Sequence, residues 1–241
     1  MVVASWPLHH LRPNEPAAWQ PHPWPGTLIC VDGVDGSGRA TQLDLLHVWL
    51  QVEGYGVIRS QWNSSKLVSK TIADARRQNT LTPLTYSILH ATDLAERIES
   101  EIVPGLKSGY VVLADRYIFT ALARDIARGV ERAWIHNLYD FAVRPDLAVY
   151  LRIDPEVSMG RIMGIGGEAS VEEANESAAV RGALESFRQF QERVVGEYER
   201  LVEPFDLMPL DAQLPIRVQQ RRLREAVGGA LLARERGICG G

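Results

Sequence analysis

The stretch "VDGVDGSGRAT" (residues 31–41) follows the apolar run "TLICVD" (27–32) and precedes an amphipathic segment with Leu43, Leu46 and Leu50 on one stripe. Strand, glycine loop and helix in that order are the setting in which a glycine pattern signals phosphate binding rather than a mere tight turn. Gly33, Gly36 and Gly38 let the backbone curl so that successive N–H groups and the helix N-terminus face one anion. The usual ending of such a loop is Gly-Lys-Ser/Thr, whose lysine reaches the β/γ-phosphates and whose hydroxyl holds Mg²⁺. Here it is Gly38-Arg39-Ala40. Arg39 keeps the charge with a planar, bulkier head, and Ala40 has no hydroxyl. Thr41 has one, but a single helical step turns it about 100° away. The expected ATP phosphate cradle is Gly33, Asp35, Gly36, Ser37, Gly38, Arg39, Ala40 and Thr41.

Working outward, short apolar runs alternate with amphipathic ones. Strands are expected at 27–32, 56–60, 110–115, 147–153 and 205–210. Helices are expected at 39–53, 65–77, 84–107, 120–143 in two pieces, 155–163, 180–201 and 215–234. The first, third and fourth strands are almost wholly apolar, which indicates a mostly parallel five-stranded sheet covered by helices on both faces, a three-layer α/β/α fold. No internal repeat is visible.

With 241 residues, 46% of them hydrophobic, the chain can bury one large core. A net charge of -4 provides no global basic field for nucleic acid or an anionic membrane, so any phosphate site must be local. Cys30 and Cys239 are the only cysteines, without metal-ligand company, which points to a reducing compartment and the cytoplasm. Neither a spanning run of about 18 apolar residues nor a secretory pattern is expected. Residues 1–26 hold six prolines, three tryptophans and three histidines without helix or strand period. They read as an irregular arm lying on its own domain or on a neighbour, with a His9, His10, His22 metal site as the other reading. Residues 27–241 form the main domain. Its segment 163–180, rich in Gly, Glu, Ser and Ala, reads as a surface lid.

A second constellation lies in "VVLADRYIFTALARD" (111–125). Asp115 ends a buried strand where ligands gather in open α/β sheets, a position from which a carboxylate can orient Mg²⁺. Arg116 can clamp an acceptor phosphate bidentately.

Together "GVDGSGRATQ", "DRY" and "RPDLAVYLRIDPEVSMGRI" (144–162) resemble the thymidylate kinase family of P-loop nucleoside monophosphate kinases over Thr27 to about Leu210. "WNSSK" (62–66), "LTPLTYSILHATD" (81–93) and "TALARDIARGV" (120–130) are similar to its archaeal-type branch. The resemblance implies transfer of the ATP γ-phosphate to dTMP or a related nucleoside monophosphate, with Mg²⁺ supported by Asp115 and Arg116 on the acceptor phosphate. Asp35 would face the acceptor and the metal region. Family positions for a base-stacking Phe and an acceptor-binding Arg fall on His90 and Leu94, with Arg97 one turn further on, and Arg124 and Asp125 are polar candidates near base or sugar. The family's Ser and Gln toward thymine are Ala121 and Asp125 here. Arg39, Asp35, Asp115 and Arg181 form the expected catalytic set, with Arg188 as a second candidate beside Arg181. The lid's own charges, Glu168, Glu172, Glu173 and Glu176, are acidic. The resemblance also implies a homodimer packed through helices near 84–107 and 120–143. A second reading stays open, in which the same fold keeps nucleotide or partner binding and has lost the chemistry at Arg39 and Ala40.

Overall fold

The computed structural model describes residues 19–78, 81–164 and 178–239. The body of the expected lid (165–177), the arm up to residue 18 with His9 and His10, and the side chains of Arg181 and Cys239 lie outside the described residues.

Five parallel strands, β1 (Thr27–Asp32), β2 (Val57–Gln61), β3 (Val111–Asp115), β4 (Leu147–Arg152) and β5 (Met208–Asp211), form a sheet in the order β2-β3-β1-β4-β5. The three inner strands carry the continuous apolar runs, and β1 is buried along its whole length. The edge strands are more exposed. β5 carries Pro209, which an edge strand tolerates because the missing N–H belongs on the unpaired side.

Helix α1 (Arg39–Val52) turns Leu43, Leu46 and Leu50 inward and packs with α9 (Ile216–Cys239) over one face. The other face carries α3 (Pro83–Arg97), α4 (Val103–Lys107), α5 (Ile118–Ala127), α6 (Arg132–Leu138) and α8 (Ala178–Val202), as right-handed crossovers require. The short helices α2 (Ser69–Gln78) and α7 (Pro155–Ile162) complete the connections. The helix expected over 84–107 is interrupted by a π turn at Ile98–Ile102. Pro104 lies just after it, and a proline lacks the N–H and crowds the carbonyl four residues back, so the preceding turn widens. The 120–143 stretch breaks into α5 and α6 as expected, and α5 is largely buried, with α8 packed against it. The fifth strand starts at Met208 rather than 205, because Phe205 still closes the end of α8 through its N–H to the Leu201 carbonyl.

Sheet register positions the site. Val31 pairs with Asp115 and Gln61 pairs with Asp115 from the other side. The carboxyl ends of β1, β3 and β2 therefore meet at one rim, beside the point where the chain order reverses. That is the rim at which open parallel sheets bind ligands.

The described part of the arm lies on this domain. The Trp19 indole N–H donates to the Ala142 carbonyl (2.8 Å) and its ring meets Phe119 and Phe205 edge-on. His22 Nε2 bonds Asp146 (2.8 Å), while its Nδ1 meets Arg234 Nη2 at 2.5 Å. With both ring nitrogens engaged by protein, His22 is a structural latch and not a metal ligand.

Candidate active site

Three glycines of the loop adopt positive φ: 149° at Gly33, 78° at Gly36 and 82° at Gly38, the last being the N-cap of α1. No side chain among the described residues caps this helix, so the N–H groups of its first turn are left for a ligand. A Cβ on Gly36 would stand 2.5 Å from the Ser158 carbonyl oxygen, and only glycine permits that approach in this conformation. From α7, the Ser158 hydroxyl donates to the Asp35 carbonyl (2.6 Å) and Arg161 to the Gly36 carbonyl (3.3 Å). Ser37 Oγ is buried without a hydrogen-bond partner among the described residues, an unmet polar atom inside the cradle. Ala40 and Thr41 are exposed on the first turn of α1.

Beside the loop opens a cavity of about 290 Å³. The loop contributes Asp35 and Arg39, the end of β3 Asp115 and Arg116, α5 Arg124, and the end of β2 Gln61, Trp62 and Asn63. Three guanidinium groups against two carboxylates leave a local excess of one positive charge within a chain of net charge -4. The arginines are oriented by protein. Arg39 Nε pairs with Asp115 and its Nη1 donates to the Gly33 carbonyl (3.1 Å). Arg116 Nη2 pairs with Asp35, and its Nη1 reaches the same Gly33 carbonyl (3.1 Å) and Thr120 Oγ1 (3.3 Å). Arg124 Nη2 donates to Asp35 Oδ2 (2.6 Å). Arg116 adopts φ 66° and Asn63 φ 62°, a left-handed conformation that costs side-chain-bearing residues energy and concentrates at functional sites.

Burial alone would raise the Asp35 carboxyl, but Arg124, Arg116 and Arg39 outweigh it and hold it below the ordinary carboxylate range. Burial and the neighbouring Arg39 and Arg124 push Arg116 down to about 10, still a cation at neutral pH. Asp32, beneath the loop, goes the other way. Burial raises it although Thr120 Oγ1 (2.6 Å) and the Tyr117 N–H (3.0 Å) donate to it.

Of the residues anticipated from sequence, Asp35, Arg39, Asp115, Arg116 and Arg124 converge on this cavity. Three expected acceptor contacts do not line it. Arg97 is completely buried, donating to Ser60 Oγ (2.9 Å) and Asp93 (3.4 Å). Asp125 is buried against Ser87 Oγ (2.8 Å) and Arg128 (3.0 Å), and burial raises its carboxyl. His90 sits behind Trp62, ring centroids 5.0 Å apart. In each case the helix face that spacing assigned to the ligand is the face that packs on the sheet or on a neighbouring helix. Arg188 is engaged by Glu185 and Glu192 on its own helix. Trp62, Asn63 and Gln61 were missed as wall residues; an aromatic side chain just past a strand's carboxyl end was the available signal.

ATP phosphates suit the glycine cradle, whose amides, orphan hydroxyl and adjacent guanidinium are all anion or acceptor partners. Among the described residues no cluster of three or more His, Cys, Asp or Glu can hold a metal. Mg²⁺, however, commonly binds through one or two carboxylates plus substrate phosphates and waters, and Asp115 and Asp35 in one cavity fit that mode.

A family profile described as thymidylate kinase matches residues 31–221. "Probable thymidylate kinase 2" of Saccharolobus solfataricus is 37% identical over 205 residues, covering 84% of this chain and 96% of the relative. "Probable thymidylate kinase" of Thermococcus gammatolerans is 33% identical, covering 75% and 85%. "Thymidylate kinase" of a Thermoanaerobacter species is 29% identical, covering 56% and 70%.

Proposed function

Since the chain belongs to the thymidylate kinase family and is a nucleoside monophosphate kinase by that membership, we propose that it transfers the ATP γ-phosphate to dTMP, giving ADP and dTDP. The observation that carries the reading is the cavity in which two carboxylates and three arginines meet at the uncapped N-terminus of α1. ATP binds with its β- and γ-phosphates in the Gly33–Gly38 cradle. Arg39 supplies the cation on that side: its Nε and Nη1 are spent on Asp115 and Gly33, leaving Nη2 for the phosphate. Arg116 and Arg124 hold the acceptor 5′-phosphate, exchanging part of their pairing with Asp35 for the incoming anion. Phosphoryl transfer asks a protein mainly for positioning and electrostatic stabilisation, and this arrangement provides both. Asp115 and Asp35 would hold the Mg²⁺ that accompanies ATP, and the ion would supply charge neutralisation on the phosphates.

The assembly is a homodimer. Support comes from α3, where Leu84 (49% exposed) and Ile88 (46%) lie one turn apart on its outer face, while α5 is already covered. A reducing cytoplasmic setting agrees with Cys30, a buried free thiol. No described helix is long and apolar enough to cross a membrane.

The test is ADP release with ATP, Mg²⁺ and a panel of nucleoside monophosphates. Turnover should depend on the acceptor, be greatest with dTMP, and fall about 10²–10³-fold in Arg39→Ala, as on losing one oriented transition-state donor. Silence across the panel, with nucleotide binding retained in calorimetry, would sink the kinase reading.

A further inference from the structure

We infer that Tyr198 of α8 and Thr120 of α5 are positioning residues for the acceptor, which together fix the Arg116 guanidinium through one shared hydroxyl. The part of Arg116 in holding the acceptor 5′-phosphate rests on the function proposed above.

Arg116 must keep its plane while its partners change. Its Nη2 pairs with Asp35, the pairing that an incoming phosphate displaces in part. What stays is on Nη1, which donates to the Gly33 carbonyl (3.1 Å) and to Thr120 Oγ1 (3.3 Å). Both acceptors are neutral, so the phosphate takes the charge-assisted bonds while these two keep the geometry.

The Thr120 hydroxyl can serve as such an anchor only if its hydrogen points elsewhere. It has one hydrogen and two lone pairs. Asp32 Oδ1, 2.6 Å away, takes the hydrogen, because a guanidinium offers donors alone and the Tyr198 hydroxyl, at 2.7 Å, can donate its own. Thr120 Oγ1 then accepts from Arg116 and from Tyr198, and its bonding capacity is fully used. Asp32, Thr120 and Tyr198 are each at most 1% exposed, so solvent does not compete for these bonds. Burial and the nearby Asp32 push the Tyr198 hydroxyl up, which keeps it a donor. Its place is set from outside the cavity: the Tyr198 ring lies flat on that of Tyr150 in β4, centroids 4.8 Å and planes 7° apart, and α8 packs along α5. Thr120 passes that constraint on to Arg116.

Steady-state kinetics and calorimetry of the full chain test this, with dTMP compared to thymidine, which lacks the phosphate. Thr120→Val should weaken dTMP binding and raise its KM about 10-fold, the size of a lost hydrogen bond to a charged group. Tyr198→Phe, which keeps the ring stack and removes one oxygen, should raise it about 3-fold. In both, the KM for ATP and the affinity for thymidine should stay as in the wild type, and Thr120→Ser should recover most of the loss. The double variant should bind dTMP no more weakly than Thr120→Val alone, since one path carries both effects. Thermal melts identify a variant that fails to fold, and Tyr198→Phe keeps the test open if Thr120→Val does. If the folded variants bind dTMP as the wild type does, or lose thymidine and dTMP alike, the inference is overturned. A wild-type protein that binds dTMP without turnover sinks the kinase reading alone, and one that binds no nucleoside monophosphate sinks both.

Discussion

Asp32 and Asp35 are three positions apart and are displaced in opposite directions. Asp32 lies in the core, where burial raises it and its hydrogen bonds with Thr120 and Tyr117 do not fully compensate. Asp35 reaches the cavity, where burial is overcome by Arg124, Arg116 and Arg39. The consequence is a stability dependence with a definite sign. A carboxyl depressed by folding contributes stability that is present above its unfolded value, about 3.9, and is lost as pH falls through the lower folded value. In urea unfolding between pH 2.5 and 6, the wild type should lose stability below about pH 4 more steeply than Asp35→Asn. At neutral pH the variant should be the less stable, because Arg116 and Arg124 then face each other without the carboxylate. Parallel curves would show that the arginines do not act on Asp35 as described. The side chain is 41% exposed, so solvent screens the effect.

Among the elements, the β1 turn into α1 is the one most constrained by its surroundings. Two of its glycines illustrate separate causes. Gly38 adopts φ 82° with its nearest foreign atom, an Arg161 nitrogen, 4.0 Å from a hypothetical Cβ. Gly36 adopts φ 78° and would drive a Cβ to 2.5 Å from the Ser158 carbonyl. Gly54, at φ 90° in open space, offers a control for the conformational cost alone. Gly54→Ala should cost about 1 kcal/mol, the penalty of a left-handed side-chain-bearing residue, and Gly36→Ala about 2 kcal/mol or more, since α7 must also move. Denaturant midpoints at constant slope measure both. Equal losses would remove the Ser158 contact from the account. Gly36→Ala should also weaken ATP binding, because the displaced segment is the cradle itself.

At the scale of the whole molecule, the chain closes on itself through Asp146, which accepts the Leu28 N–H (2.8 Å), bonds His22 (2.8 Å) and pairs with Arg234 at 3.4 Å. This ties the arm, the start of β1, the approach to β4 and the end of α9 at the pole opposite the site, so the binding rim is left to the strand ends and their loops. Among the described residues nothing covers the outer face of α3 around Leu84 and Ile88. If it is the dimer face, Ile88→Glu should convert a dimer into a monomer in light scattering at micromolar concentration, since a charge would be buried unpaired in each copy. A wild-type monomer under the same conditions would dispose of the proposal.

The positions of the strands along the chain, their alternation with helices and the phosphate loop were legible in the linear chain because they depend on local period: continuous apolar runs make inner strands, Leu43, Leu46 and Leu50 make one helix stripe, and glycines at 33, 36 and 38 make a left-handed curl. Asp115 and Arg116 were legible for the same reason, as the polar end of an apolar strand. Spacing along α3 and α5 was a poor guide to what faces the ligand, since a helix has one inward face, and its neighbours decide whether that face meets solvent, ligand or core. Arg97 and Asp125 went to the core, where their charges are met by Asp93 and Arg128. Trp62 and Asn63 came to the cavity because Gln61 is in register with Asp115, a pairing across 54 residues that no local pattern encodes.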